Sequence, residues 1–141
     1  DLSSSSVDSG KIVDGSITAN DLGANTVTAA AENLRIIRGS VKADGRRWYG
    51  NGYTVTKVAG QDGLYQITFT TPFSSSPVVT TSVTGRYGVY PEVYDAGRTN
   101  YPNLSQDNLY PGVGGFTVGV LDTARTTGYN FGFSFIAIGP R

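Results

Sequence analysis

Every fifth residue of the first thirty is aliphatic. Read in fives, the segment runs DLSSS, SVDSG, KIVDG, SITAN, DLGAN, TVTAA: Leu2, Val7, Ile12, Ile17, Leu22 and Val27 take second place, and Ser, Gly or Asn closes all but the last pentad. At this spacing successive aliphatics lie roughly 140° apart on an α-helix and spiral around it, while on a flat strand an odd period sends them to alternate faces. Neither regular element gathers them on one side. The geometry that does is a short extended piece and a bend in each pentad, with Gly10, Gly15, Asn20 and Asn25 placed to supply tolerant backbone at the corners.

Such a segment cannot organise itself. A buried aliphatic returns roughly 1.5–3 kcal/mol and there is one per pentad, whereas ordering each residue costs roughly 1–2 kcal/mol in backbone entropy. Three outcomes stand open: self-association of several chains into a fibrous stalk, docking on the rest of the chain, or a flexible tether. A solvated linker has no reason to keep a fixed aliphatic interval, so the reading taken is a pentad-repeat oligomerisation stalk over residues 1–33. Charge divides at the same place. Residues 1–33 hold five acidic side chains against Lys11, a net of −4, and the remainder holds ten basic and six acidic ones, a net of +4. Asp8, Asp14 and Asp21 lie near pentad corners without a calcium-loop pattern and read as a solubilising surface.

From Leu34 the pattern changes to strand and turn. Val, Ile, Thr and the aromatics total 53 residues in the 141-residue chain, against 15 for Leu, Met, Glu, Gln and Lys, which points to an all-β protein. TAAAENLRII, residues 28–37, permits one helical turn at most. Strands are predicted near 34–42, 47–50, 53–58, 64–71, 77–84, 87–94, 115–121 and 129–138. The clearest hairpin is TVTKV-AGQDG-LYQITFT, whose second run sets Tyr65, Ile67 and Phe69 on one face. The last run, NFGFSFIAIG, sets Phe131, Phe133, Phe135 and Ala137 on one face and Gly132, Ser134, Ile136 and Ile138 on the other. Ile136 and Ile138 imply that the second face is buried too, against another subunit. Seven or eight short strands suit a β-sandwich head over residues 34–141.

The absences remove much chemistry. The chain has no His, Cys or Met, so no Ser-His or Cys-His nucleophile pair, imidazole or thiolate metal ligand, or disulfide can be built. No cofactor or metal is expected. No apolar run approaches the roughly 20 residues of a spanning helix, the N-terminus is polar rather than signal-like, and a soluble chain is expected. It begins at Asp1 without an initiator Met, which predicts a fragment or processed product.

Tyr65-Gln-Ile-Thr-Phe69-Thr-Thr-Pro72-Phe73, Pro77-Val78-Val79, Gly115-Phe116-Thr117-Val118 and Phe131-Gly-Phe-Ser-Phe135-Ile-Ala137-Ile-Gly139 together resemble the H-type lectin fold and related tips of bacteriophage tail fibres. In that family a strand ends in a Pro-Phe turn, the next begins with Pro-Val, and a late strand ends near Ala-x-Gly. The pentads resemble the repeats placed before such heads in trimeric phage and phage-like fibres. The resemblance implies a homotrimer with an intertwined stalk and a head that binds a receptor or glycan outside the cell, on a virion tail fibre or a secreted particle. It departs at Phe135-Ile136, where the lectins commonly carry Trp, and their sugar-contacting positions find no match here. The fold therefore transfers more safely than the ligand.

Two stretches are candidates for ligand contact. Residues 86–112 hold Tyr87, Tyr90, Tyr94, Tyr101 and Tyr110 interleaved with Arg86, Glu92, Asp95, Arg98, Asn100, Asn103 and Asp107. Tyr offers a rigid surface with a hydroxyl, and the polar neighbours suit sugar hydroxyls. The competing reading packs Tyr87, Tyr90 and Tyr94 in the core or a trimer seam. The second stretch is DGRRWYGNGY, where Arg46 and Arg47 beside Trp48 could grip an acidic sugar or phosphate, or where Trp48 caps the core and the arginines stay solvated. An enzyme would have to rely on Glu92 and Asp95 as paired carboxylates, a spacing without signal. Basic residues are too scattered for nucleic acid. The sequence thus reads as a non-catalytic receptor- or glycan-binding tip of a trimeric fibre, with a structural fibre cap lacking a ligand as the rival.

Overall fold

Alternation of apolar and polar residues after Leu34 resolves into eight strands: β1 (Leu34–Val41), β2 (Arg47–Gly50), β3 (Tyr53–Lys57), β4 (Leu64–Phe69), β5 (Val78–Val83), β6 (Val89–Tyr94), β7 (Gly115–Asp122) and β8 (Phe133–Pro140). The structure, a computed structural model, describes residues 3–24, 26–27, 33–84, 88–97, 111–125 and 127–141. The strands form two four-stranded antiparallel sheets, ordered β2-β1-β8-β5 and β3-β4-β7-β6. The all-β, sandwich-like architecture expected from the sequence is present.

The core lies between the sheets. Ile37, Val41, Phe133, Phe135 and Ala137 from the first sheet meet Tyr53, Tyr65, Ile67, Phe69, Phe116, Val118 and Val120 from the second, with Phe73 closing one end. The rings meet edge to face, Tyr53 on Phe135 at 4.9 Å and 81° and Phe116 on Phe135 at 5.2 Å and 75°, the arrangement the ring quadrupole favours. The Tyr53 ring needs a gap in β1. A Cβ on Gly39 would stand 2.4 Å from that ring, so only glycine fits there. Tyr53 and Tyr65 keep their hydroxyls satisfied: Tyr53 donates to the carbonyl oxygens of Tyr49 (2.8 Å) or Ser40 (3.1 Å), and Tyr65 donates to that of Ala43 (2.8 Å). Burial and the nearby carboxylates of Asp62 and Asp44 push the Tyr65 phenol up to about 12.

The outer faces of the two sheets differ. β7 is buried on both sides, because Leu121 joins Leu64 and Tyr94 in a second cluster on the outer face of its sheet. β8 sends Phe133, Phe135 and Ala137 inward as expected, while Ile136 and Ile138 are each 41% exposed in the single chain. The register sets Ile36 beside Ile138 and Ile138 beside Val78, so one contiguous apolar patch faces outward.

Before the sheets, backbone hydrogen bonds recur at five-residue intervals: Ser6 N–H to Ser3, Lys11 to Asp8, Ser16 to Val13, Asp21 to Thr18 and Thr26 to Gly23. Ser9–Lys11 and Ala19–Asp21 are single 3₁₀ turns, each followed by an extended aliphatic, Ile12 and Leu22. Two of the acidic corners, Asp8 and Asp21, hold turns by side-chain hydrogen bonds. Asp8 accepts from Gly10 N–H at 3.0 Å, and Asp21 accepts from Thr18 N–H at 2.8 Å and Thr18 Oγ1 at 2.7 Å. Those bonds from Thr18 hold the Asp21 carboxyl below the usual range. Corner chemistry differs from expectation: Gly15 takes a left-handed φ of 74°, but Ser5 does so too at 63°, while Gly10 and Asn20 sit in right-handed 3₁₀ turns. Asn25 lies outside the described residues. None of the described residues up to Val27 is buried, and Val7, Ile12, Ile17, Leu22 and Val27 are 41–56% exposed. Leu2 lies outside the described residues.

Candidate functional site

The hairpin KADGR turns on Gly45, whose N–H donates to the Lys42 carbonyl, and it returns the chain as the short edge strand β2. Pairing with β1 places Ser40 opposite Tyr49 and Val41 opposite Arg47. Trp48 therefore has no partner and forms a β-bulge, a device that re-aims side chains. Consecutive strand residues ordinarily point to opposite faces, yet Trp48 and Tyr49 stack on each other with ring centroids 5.2 Å apart and planes at 26°. Both are open to solvent, Trp48 at 58%. The expectation that Trp48 caps the core does not hold.

The two arginines are occupied. Arg46 pairs with Asp44 at 2.7 Å through Nη2 and 2.8 Å through Nε, and this bond holds the Asp44 carboxyl below its usual range. Arg47 donates to the Tyr53 carbonyl at 3.3 Å and leans over the Tyr53 ring. The cation beside Trp48 is Lys42, its Nζ 5.8 Å from the indole centroid. Sequence reasoning missed Lys42; the Asp44-Gly45 turn signal, which folds it back across from Trp48, was the available clue.

Two open grooves flank these aromatics on the outer face of the β2-β1-β8-β5 sheet. One, of about 420 Å³, is lined by Lys42, Ala43, Trp48, Thr84, Gly132 and Ser134 among others. The other, of about 640 Å³, includes Tyr49, Arg38, Asn51 and Ile136. No Asp or Glu lines either one, and the four strands of this sheet carry Arg35, Arg38 and Arg47 with no acidic residue.

The strand of the tyrosine-rich stretch that the structure describes, β6, lies in the other sheet. Tyr90, Glu92 and Tyr94 share one face of β6, at positions i, i+2 and i+4. Tyr94 is buried and its hydroxyl donates to Glu92 Oε2 at 2.5 Å. Arg125, from the turn after β7, stands 2.6 Å from Glu92 Oε1 and donates from Nε to the Tyr90 hydroxyl at 3.2 Å. Those partners, Tyr90 first and Glu92 next, raise the Arg125 guanidinium above its ordinary value. Arg125 was not singled out from sequence, and its left-handed φ of 58° leaves no sequence mark. Asp95 follows β6 and is half-buried. Tyr87, Arg98 and Tyr101 lie outside the described residues, as do Arg86, Asn100, Asn103, Asp107 and Tyr110. Among the described residues no group of three or more acidic side chains is placed to hold a metal ion, and no helix is long and apolar enough to cross a membrane.

Compared with known proteins, the chain matches no family model, no curated protein and no solved structure.

Proposed function

We propose that this chain is the non-catalytic tip of a homotrimeric fibre, outside the cell on a virion tail or secreted particle, and that its head binds a cell-surface glycan or protein. The observation that carries the reading is the exposure of Val7, Ile12, Ile17, Leu22 and Val27 on turns repeated every five residues, with none of them in either core cluster. Aliphatics at that interval gain nothing from water, and neighbouring copies of the same segment are the natural cover. The outward patch of Ile36, Val78, Ile136 and Ile138 begins within two residues of the start of β1, so copies joined through the pentads would bring these faces close. Three weak sites on one rigid shaft then gain avidity without any new contact.

Catalysis is not part of the proposal. Glu92 Oε2 accepts from the Tyr94 hydroxyl and Oε1 faces the Arg125 guanidinium, an arrangement that suits packing of β6 rather than paired-carboxylate chemistry. Incubation with candidate polysaccharides is expected to release no reducing ends; turnover that vanishes in Glu92→Gln would contradict this. The rival, a cap that registers and ends a fibre without a ligand, draws on the burial of Tyr94 and its bond to Glu92, which suit packing better than capture.

Binding of the intact protein to cells or a glycan array separates the two. The tip reading expects saturable binding that falls by about 10²–10⁴-fold in avidity when Ile12, Ile17 and Leu22 are all replaced by Asp. No binding to any surface favours the cap.

A further inference from the structure

We propose that the groove between Trp48 and β8 is a subsite for an anionic saccharide, with Trp48 as the stacking platform and Lys42 as the carboxylate partner. The inference rests on the reading of the head as a receptor-binding tip and deepens it by giving the site and the ligand chemistry.

Four observations converge on this place. The bulge at Trp48 turns the indole onto the same side as Tyr49, and the pair leaves a broad aromatic surface in water, Trp48 at 58% and Tyr49 at 66% exposure. A contiguous exposed aromatic surface of this kind, unlike a single exposed apolar side chain, marks an interaction site. The C–H face of a pyranose is apolar and matches an aromatic plane, while its hydroxyls need hydrogen-bonding groups at the rim. Ser40, Thr84 and Ser134 line the same groove and supply such groups. Ser40 Oγ and Ser134 Oγ already share a hydrogen bond of 2.8 Å, so the rim is ordered before a ligand arrives.

Charge decides which saccharide. Lys42 Nζ stands over the indole, 5.8 Å from its centroid; a pyranose stacking on that face moves the flexible ammonium to the rim of the ring, where it meets the sugar's carboxylate. The neighbouring groove adds Arg38, and neither groove has an acidic lining residue to compete. Arg46 and Arg47 hold other partners, so the recognising cation is Lys42 rather than the two arginines that immediately precede Trp48 in sequence. A uronic or sialic acid fits this set; a neutral sugar leaves Lys42 unused.

Trp48 is the only tryptophan in the chain, and its emission therefore reports on this groove alone. The intact protein is titrated with glucuronate- and N-acetylneuraminate-bearing oligosaccharides and with their carboxyl-reduced counterparts, and the same sugars are printed on an array. The expected result is a saturable change in emission with an acidic sugar, weaker by at least about tenfold with its reduced form. Lys42→Gln is expected to remove that preference and its salt dependence. Trp48→Ala is expected to abolish array binding and Trp48→Phe to restore part of it. Both side chains are exposed, so the melting temperature should not move, and a variant that fails to fold is replaced by Thr84→Val, which removes a rim hydroxyl. Array binding that survives Trp48→Ala, with no emission change when the parent protein is titrated, overturns the subsite while the receptor-binding reading stands. Equal binding of acidic and reduced sugars overturns the anionic assignment. Binding to a protein receptor and to no sugar overturns the subsite alone, and binding to no surface at all overturns both.

Discussion

Single residues fix how closely the two sheets approach. Gly39 faces the Tyr53 ring at a distance that admits no side chain, and Tyr53 in turn touches Phe135 and bonds to the β1 and β2 backbone. Gly39→Ala forces the ring aside and is expected to destabilise the fold by about 1–3 kcal/mol, read as a lower midpoint in urea denaturation with an unchanged slope. Tyr65 offers a test in pH. Its folded-state pKa is raised to about 12, above the roughly 10 of an unfolded phenol, so the unfolded chain loses its proton first as pH rises. The stabilisation is fully present below pH 10 and falls between about pH 10 and 12. Tyr65→Phe is expected to flatten that decline relative to the parent, at a loss of about 1 kcal/mol near neutrality from the missing bond to Ala43. An unchanged slope would mean that Tyr65 ionises equally in both states.

At the scale of elements, the bulge in β2 and the turn after β7 carry the site chemistry. Arg125→Ala removes the cation beside Glu92 and the donor to Tyr90, and is expected to loosen β6, raising amide exchange there while β1 and β8 stay protected. Equal exchange along β6 would show that the pair contributes nothing to its order. Strands were legible because their residues alternate: Tyr65, Ile67 and Phe69 against Gln66 and Thr68, and Phe133, Phe135 and Ala137 against Ser134 and Ile136, fell on the faces expected. The last strand begins at Phe133 instead of near 129, because Phe131 contacts the core without pairing in the ladder. Backbone turns recur at the same five-residue interval as the aliphatics. What sequence could not give was register. Trp48 looks like an ordinary strand residue until pairing leaves it without a partner opposite, and Arg125 and Glu92 stand 33 positions apart in sequence, with the connection over residues 95–114 and all of β7 between them.

For the whole molecule, two surfaces stay apolar in water: the aliphatics of the pentads and the isoleucine patch on the β2-β1-β8-β5 sheet. On the present proposal both are covered by further copies of the chain, the first building a shaft and the second drawing the heads together. Ile136→Asp with Ile138→Asp is expected to weaken association while leaving the sandwich folded, since both side chains point away from the core; retained assembly would confine self-association to the pentads. Everything else in the account, from avidity to a receptor-binding tip, depends on whether copies assemble at all. Light scattering on the intact chain in solution decides this. A homotrimer gives a mass three times the 14.9 kDa of one chain, lost on replacing Ile12, Ile17 and Leu22 by Asp; a stable 14.9 kDa species at every concentration rules the shaft out.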